Sequence, residues 1–114
     1  MFLTFSQNNS GGSFDLDEVS GITHFVVIEA DTTYEAIEKA KSIGIYFDGV
    51  SEGQDCPCCG DRWYEPYDDE MDEFPSVYGV NAETQECLDN LSLQWMPEGK
   101  EICIHYQDGR RVWK

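Results

Sequence analysis

The stretch from Ile22 to Gly44, ITHFVVIEADTTYEAIEKAKSIG, restricts the fold more than any other part of the chain. Phe25, Val26, Val27 and Ile28 form an unbroken β-branched and aromatic run, so Ile22 to Ala30 reads as a strand with both faces to bury. A helix follows directly. Thr32 and Glu35 have the spacing of a capping box, in which side chains satisfy the partnerless N–H groups of a first turn. Ala36, Ile37, Ala40 and Ile43 fall on one stripe, while Glu35, Glu38, Lys39 and Lys41 face water. Gly44 supplies the left-handed stop. A central strand thus hands over to a helix whose alanines allow close packing on a sheet. The strand's other face also needs a cover. A second copy of the chain could provide it, which makes a homodimer one expectation.

The remaining sequence supplies more strands. MFLTFSQ alternates Phe2, Thr4 and Ser6 with Leu3 and Phe5, as a half-buried first strand would. Asn8 to Gly21 is a turn-rich loop, and Ala82 to Leu93 fits a short second helix with Cys87, Leu88 and Leu91 inward. KEICIHYQDGRRVWK reads as a hairpin, with Cys103 and His105 on one face and Asp108-Gly109 turning the chain toward Val112 and Trp113. At 114 residues there is room for one domain, residues 1–114. The predicted class is α+β: a small antiparallel sheet of four to five strands, packed by one helix over residues 32–43 and a second short one. A cysteine-knuckle and acidic loop at residues 53–74 is an insertion in it.

Charge narrows the partners. Twenty-three acidic residues against seven basic ones give a formal net charge of −16, and residues 63–99 contain no Lys or Arg. Nucleic-acid binding needs cations to neutralise phosphates, and anionic lipid is repelled for the same reason, so neither DNA, RNA nor membrane is an expected direct partner. No run approaches the roughly 18 to 20 apolar residues that cross a bilayer. The start lacks a basic region followed by an apolar run, so the expected location is the cytoplasm, where disulfides rarely persist. Five cysteines cannot all pair within one chain in any case.

Those cysteines carry the most chemical pattern. In Cys56-Pro57-Cys58-Cys59-Gly60, the two thiols of Cys56 and Cys59 have the spacing that places both sulfurs on one side of a metal. Pro57 restricts the turn and Gly60 permits a positive φ after it. Zinc needs four ligands and no second CxxC exists. Cys103 and His105, at i and i+2 on a strand, leave the same face and could close a Cys3His set around a structural zinc; Cys58 and Cys87 are the alternates, and His24 completes the supply of candidates. Reduced cysteines that merely fill space around Trp63 and Tyr64 compete with this reading. A redox pair fits less well, because glycine and then proline follow where a thioredoxin-like site needs a helix N-terminus. Arg62 lies among Asp55, Asp61, Glu65 and Asp68. It reads either as an internal ion pair pinning the loop or, beside Trp63, as a weak grip on an anion.

After the cysteines comes an acidic strip. Tyr64, Glu65, Tyr67, Asp68, Asp69, Glu70, Asp72 and Glu73 interleave carboxylates with aromatic rings, a pattern suited to a basic protein groove. It is also what a solvated face looks like. The calcium-loop spacing is absent, and NNSGGS lacks the lysine of a P-loop. No Ser, His and Asp arrangement suggests a triad, so no catalytic residue is assigned and an enzyme is not expected.

The block FVVIEADTTYEAIEKAKSIG followed by YFDGVSEGQDCPCCGDRWYEPY, with DCPCCGDRW (Asp55 to Trp63) as its most specific part and ICIHYQDGR near the end, resembles a group of small uncharacterised proteins of tailed bacteriophages. The resemblance covers roughly residues 22 to 67 and that C-terminal piece, and implies an accessory protein made inside a bacterium. The leading expectation is a non-enzymatic protein that binds, and in its sharpest form inhibits, a host protein through an acidic and aromatic surface, as a DNA mimic would. A zinc-stabilised structural or assembly module ranks second. A binder of small phosphate-bearing ligands, or an enzyme, ranks last.

Overall fold

A computed structural model of the chain describes residues 1–8, 14–53, 55, 60–64, 66, 71–84 and 99–114. Cys56, Cys58, Cys59 and Cys87 lie outside the described residues, as do Glu65, Tyr67, Asp68, Asp69, Glu70 and most of the expected second helix. In chain order the elements are β1 (Phe2–Ser6), β2 (Phe25–Glu29), α1 (Thr33–Ile43), β3 (Ser76–Val77), β4 (Val80–Asn81), β5 (Ile102–His105) and β6 (Arg111–Trp113). Four of the strands form one sheet in the order β1-β2-β5-β6, and β3 with β4 makes a separate two-stranded ribbon. The class is α+β.

The sheet is mixed, which corrects the antiparallel expectation. β1 pairs with β2, and β5 with β6, in antiparallel fashion, but β2 and β5 run parallel, with Phe25 opposite Ile102 and Ile28 opposite His105. The Asp108-Gly109 turn governs only the β5–β6 pairing. What lies on β5's other side is chosen by the long crossover through α1, and a parallel neighbour always requires such a crossover. β2 also starts later than its apolar run suggests. Ile22 is held in a tight loop, its N–H donating to Asp17 O at 2.9 Å and its carbonyl accepting from Asp17 N–H at 2.8 Å.

Both faces of the two inner strands are buried, each by a different part of the chain. On the first face Leu3, Phe5, Val26 and Ile28 pack under Ala36 and Ala40 of α1, with Ile45 and Trp63 beside them. On the second, Phe2, Phe25, Val27, Ile102 and Ile104 pack under Val77 and Ala82, the ribbon and the residue after it. The chain therefore covers for itself the face of β2 that had suggested a twin copy.

α1 begins and ends as its sequence predicts. The Thr32 hydroxyl accepts from Glu35 N–H, and Gly44 closes the helix at φ 115°, its N–H on Ala40 and Lys41 carbonyls. Ala36 and Ala40 are fully buried, so the helix axis comes close to β2. Replacing Thr32 with alanine removes the one cap acceptor. An expected loss of about 1 kcal/mol in urea titration follows, with Thr32→Ser close to wild type.

Candidate functional site

The loop that leads to the cysteines is held by one carboxylate. Asp55 is 7% exposed. Its Oδ2 accepts from Arg62 N–H at 2.7 Å, its Oδ1 accepts from the Tyr46 hydroxyl at 3.0 Å, and its own N–H donates to Gly49 O at 3.0 Å. Burial, with Asp55 second, raises the Tyr46 phenol above its ordinary pKa, which keeps it a donor. Asp61 adds a second tie by accepting from Val50 N–H at 2.8 Å. Asp55 and Arg62 are thus clasped together, and they flank the cysteine run on either side. Gly60 takes φ 90°, the positive value expected after a knuckle turn.

Arg62 is an internal residue, and a carboxylate remote from it in sequence lies beside it. Arg62 is 9% exposed, and its Nε lies 3.5 Å from Asp15 Oδ2. Its carbonyl accepts from Asn8 N–H at 2.6 Å, and Trp63 then bridges to Gln7. This places the segment after the cysteines beside the end of β1.

The other half of the expected zinc set stands on β5, with β2 between it and β1. Cys103 and His105 do leave the same face, and Sγ lies 3.5 Å from Nε2. Nε2 also lies 2.8 Å from Gly21 O. A carbonyl can only accept, so Nε2 carries the hydrogen and its lone pair is not available in this arrangement. Burial pushes the Cys103 thiol up to about 11. The contact is therefore a neutral thiol against an N–H donor. It is not a nucleophile and its base. Among the described residues, no three His, Cys, Asp or Glu side chains form a group that could hold a metal ion.

A second histidine, His24, is buried at the start of the apolar run, as that run implies, but beside a partner that the sequence did not signal. His24 is stacked between Phe14 and Phe25, at centroid distances of 4.2 and 4.1 Å, and its Nδ1 lies 3.2 Å from Glu101 Oε2. Glu101 precedes β5, so only the parallel pairing brings the two together.

Both histidines have a pH consequence. Burial lowers the pKa of each below the ordinary 6.5; for His24 the Glu101 carboxylate opposes this in part, and for His105 the bond to Gly21 opposes it while Arg111 and Lys39 reinforce it. The unfolded chain then binds protons more readily than the folded one. The stability each confers is whole above pH 6.5 and is lost as pH falls from there toward the lower folded value. Wild type is expected to lose more stability than His105→Gln between pH 7.5 and 5.5, by at most ~1.4 kcal/mol per pH unit for the one proton removed. Urea titrations across that range check it, and parallel curves for the two proteins would refute it.

The acidic strip is tied at both ends to the outer edge of β1. At one end Tyr64 N–H donates to Ser6 O at 3.2 Å. At the other, Phe2 and Asp72 exchange two backbone hydrogen bonds of 2.7 and 2.8 Å, and Asp72 Oδ2 accepts from the Ser76 hydroxyl at 2.5 Å. Tyr64 and Phe74 remain 58% and 40% exposed, and Glu73 is exposed between them and Asp72.

Near the C-terminal end of α1 lies a cleft of about 330 Å³, open to solvent. Asp15, Asp17, Ile22, Ile43, Tyr46 and Trp63 are among the residues that line it. Gln7 positions the lining: its Nε2 donates to Asp15 O and Thr23 O at 2.8 and 2.7 Å, while its Oε1 accepts from Asp15 N–H at 2.7 Å. The sequence singles out Trp63, whereas Asp15 and Asp17 fall within the turn-rich loop Asn8 to Gly21. Nothing in DLD distinguishes a cleft lining from a turn.

A family model described as a domain of unknown function, DUF7296, matches residues 1–113, and the chain belongs to that family. No curated protein and no solved structure matches it.

Proposed function

We propose that this DUF7296 member is a non-enzymatic binding protein that engages a host protein through the acidic and aromatic face of residues 64–74, in the phage setting its DCPCCGDRW motif implies. The observation that supports this most is the anchoring of that strip. Its two ends, at Tyr64 and Asp72, are hydrogen-bonded to β1, and the side chains of Tyr64 and Phe74 are exposed beside those anchors. A net charge of −16 makes a basic protein surface the complementary one and speeds its encounter. DNA mimicry is the sharpest form, in which the strip's carboxylates stand in for phosphates. The test is capture from bacterial lysate at low salt, repeated with Glu65, Asp68, Asp69, Glu70, Asp72 and Glu73 changed to their amides. Capture that disappears with the amides, and that duplex DNA displaces, supports the proposal. Capture that is unaffected by the substitutions sinks it.

A zinc-stabilised module is the second reading, and the Asp55–Arg62 clasp with the positive φ of Gly60 favours it. In a Cys56, Cys59, Cys103 and His105 set, a ligating Nε2 would have to release Gly21 O. Sets that use Cys58 or Cys87 leave that bond intact. Elemental analysis of protein purified without chelator should return about one zinc per chain, and a ratio near zero removes this reading.

A further inference from the structure

We propose that the cleft between the end of α1 and the 15–17 segment seats a lysine or arginine side chain of a partner protein. Its volume of about 330 Å³ is at the small end for ligand sites, enough for one long side chain and tight for a cofactor. The chemistry of its lining is matched to such a guest. Ile22 and Ile43 offer apolar contact for a methylene stem, and the half-buried Tyr46 brings an aromatic ring to the same cleft. Asp15 and Asp17 supply negative charge to its lining, and so does the carbonyl end of α1 at Ile43 and Gly44.

Asp17 is the stronger attractor of the two acids. Its Oδ1 accepts from the N–H groups of Val19 and Ser20 at 3.1 and 3.2 Å, which holds the carboxylate in one orientation. Those hydrogen bonds also keep it ionised, since they lower its pKa below 3.8. Asp15 shares its charge with Arg62 at 3.5 Å and is the weaker attractor. That the guest belongs to a protein rests on the function proposed above; that the cleft takes a cationic side chain does not.

The experiment follows the indole N–H resonance of Trp63 while the whole protein is titrated with N-acetyl-lysine N-methylamide, its arginine counterpart, or the neutral norleucine analogue. The lysine or arginine probe should bind in the millimolar range and the norleucine probe about tenfold more weakly, as expected for one close ion pair near a surface. Asp17→Asn keeps the oxygen that Val19 and Ser20 need and removes the charge, so it should weaken the cationic probes to about the norleucine level. Glu35→Gln, in the first turn at the opposite end of α1, makes the same change in net charge and should leave binding unaltered. Equal shifts from the norleucine probe, no shift of Trp63, or equal losses in Asp17→Asn and Glu35→Gln would each overturn the assignment. If the lysate capture fails while the cleft still titrates, the proposed function falls and the cleft stands. The reverse pattern overturns the cleft alone.

Discussion

Replacing Gly21 with alanine is expected to lower folding stability by on the order of 3 kcal/mol, a large share of the ~5–15 kcal/mol of an ordinary domain. Two costs add at this one position. Gly21 has φ +77°, a region that alanine enters only with strain. A methyl group there would also meet His105 Cε1 at 2.5 Å and Nε2 at 2.7 Å, closer than real Cβ contacts come. His105 is 4% exposed and bonded through Nε2 to the carbonyl of Gly21 itself, so moving the ring leaves a buried donor and acceptor apart. Gly79 separates the two costs. It has φ +80° with nothing within 4 Å of an added Cβ, so Gly79→Ala should lose only the backbone part, about 1 kcal/mol. Urea midpoints for the two variants decide the matter. Equal losses would mean that the His105 contact contributes nothing.

Gly49→Ala should cost a similar amount, on the order of 3 kcal/mol, through sterics alone. An added Cβ would lie 1.8 Å from Asp55 Oδ2, 2.5 Å from Asp55 Cγ and 2.7 Å from Tyr46 Cε2. The carboxylate would have to leave its place, and the Arg62 N–H and Tyr46 hydroxyl would both lose their acceptor. A hydrogen bond to a charged group contributes about 1.5–3 kcal/mol, so losing two is severe even after relaxation. The prediction has an internal check. In an Asp55→Ala background the carboxylate is gone and only Tyr46 Cε2 stays close, so adding Gly49→Ala should do clearly less harm than it does in wild type. Additive losses in that cycle would show that Asp55 is not what Gly49 makes room for. If the zinc reading holds, Gly49→Ala should also lower zinc content, because the clasp joins the residues on either side of the cysteine run.

The residues that were readable in advance are those whose role is set by near neighbours. Thr32, Ala36, Ala40 and Gly44 behave as their spacing implies, since a helix is closed by bonds within one turn. Cys103 and His105 share a face for a similar reason: alternation in a strand is a local property. What escaped notice depends on pairings between distant residues. Arg62 has four acids near it in sequence, yet the structure also sets the distant Asp15 beside it. His24 meets Glu101 only because β2 and β5 lie side by side in parallel. Gln7, a residue with no motif around it, holds the lining of the cleft with three hydrogen bonds.

From the sequence alone came the α+β class, a capped helix on an apolar strand and a net charge of −16. Hydrophobic periodicity, capping and charge are additive or short-ranged, so they survive without coordinates. The direction of β5 beside β2, the ribbon that covers the second face, the clasp of Asp55 on Arg62 and the cleft at the end of α1 were decided by tertiary structure. Each depends on which remote segments share a boundary. That is settled by burying both faces of one sheet at once, a global condition that no window of the sequence contains.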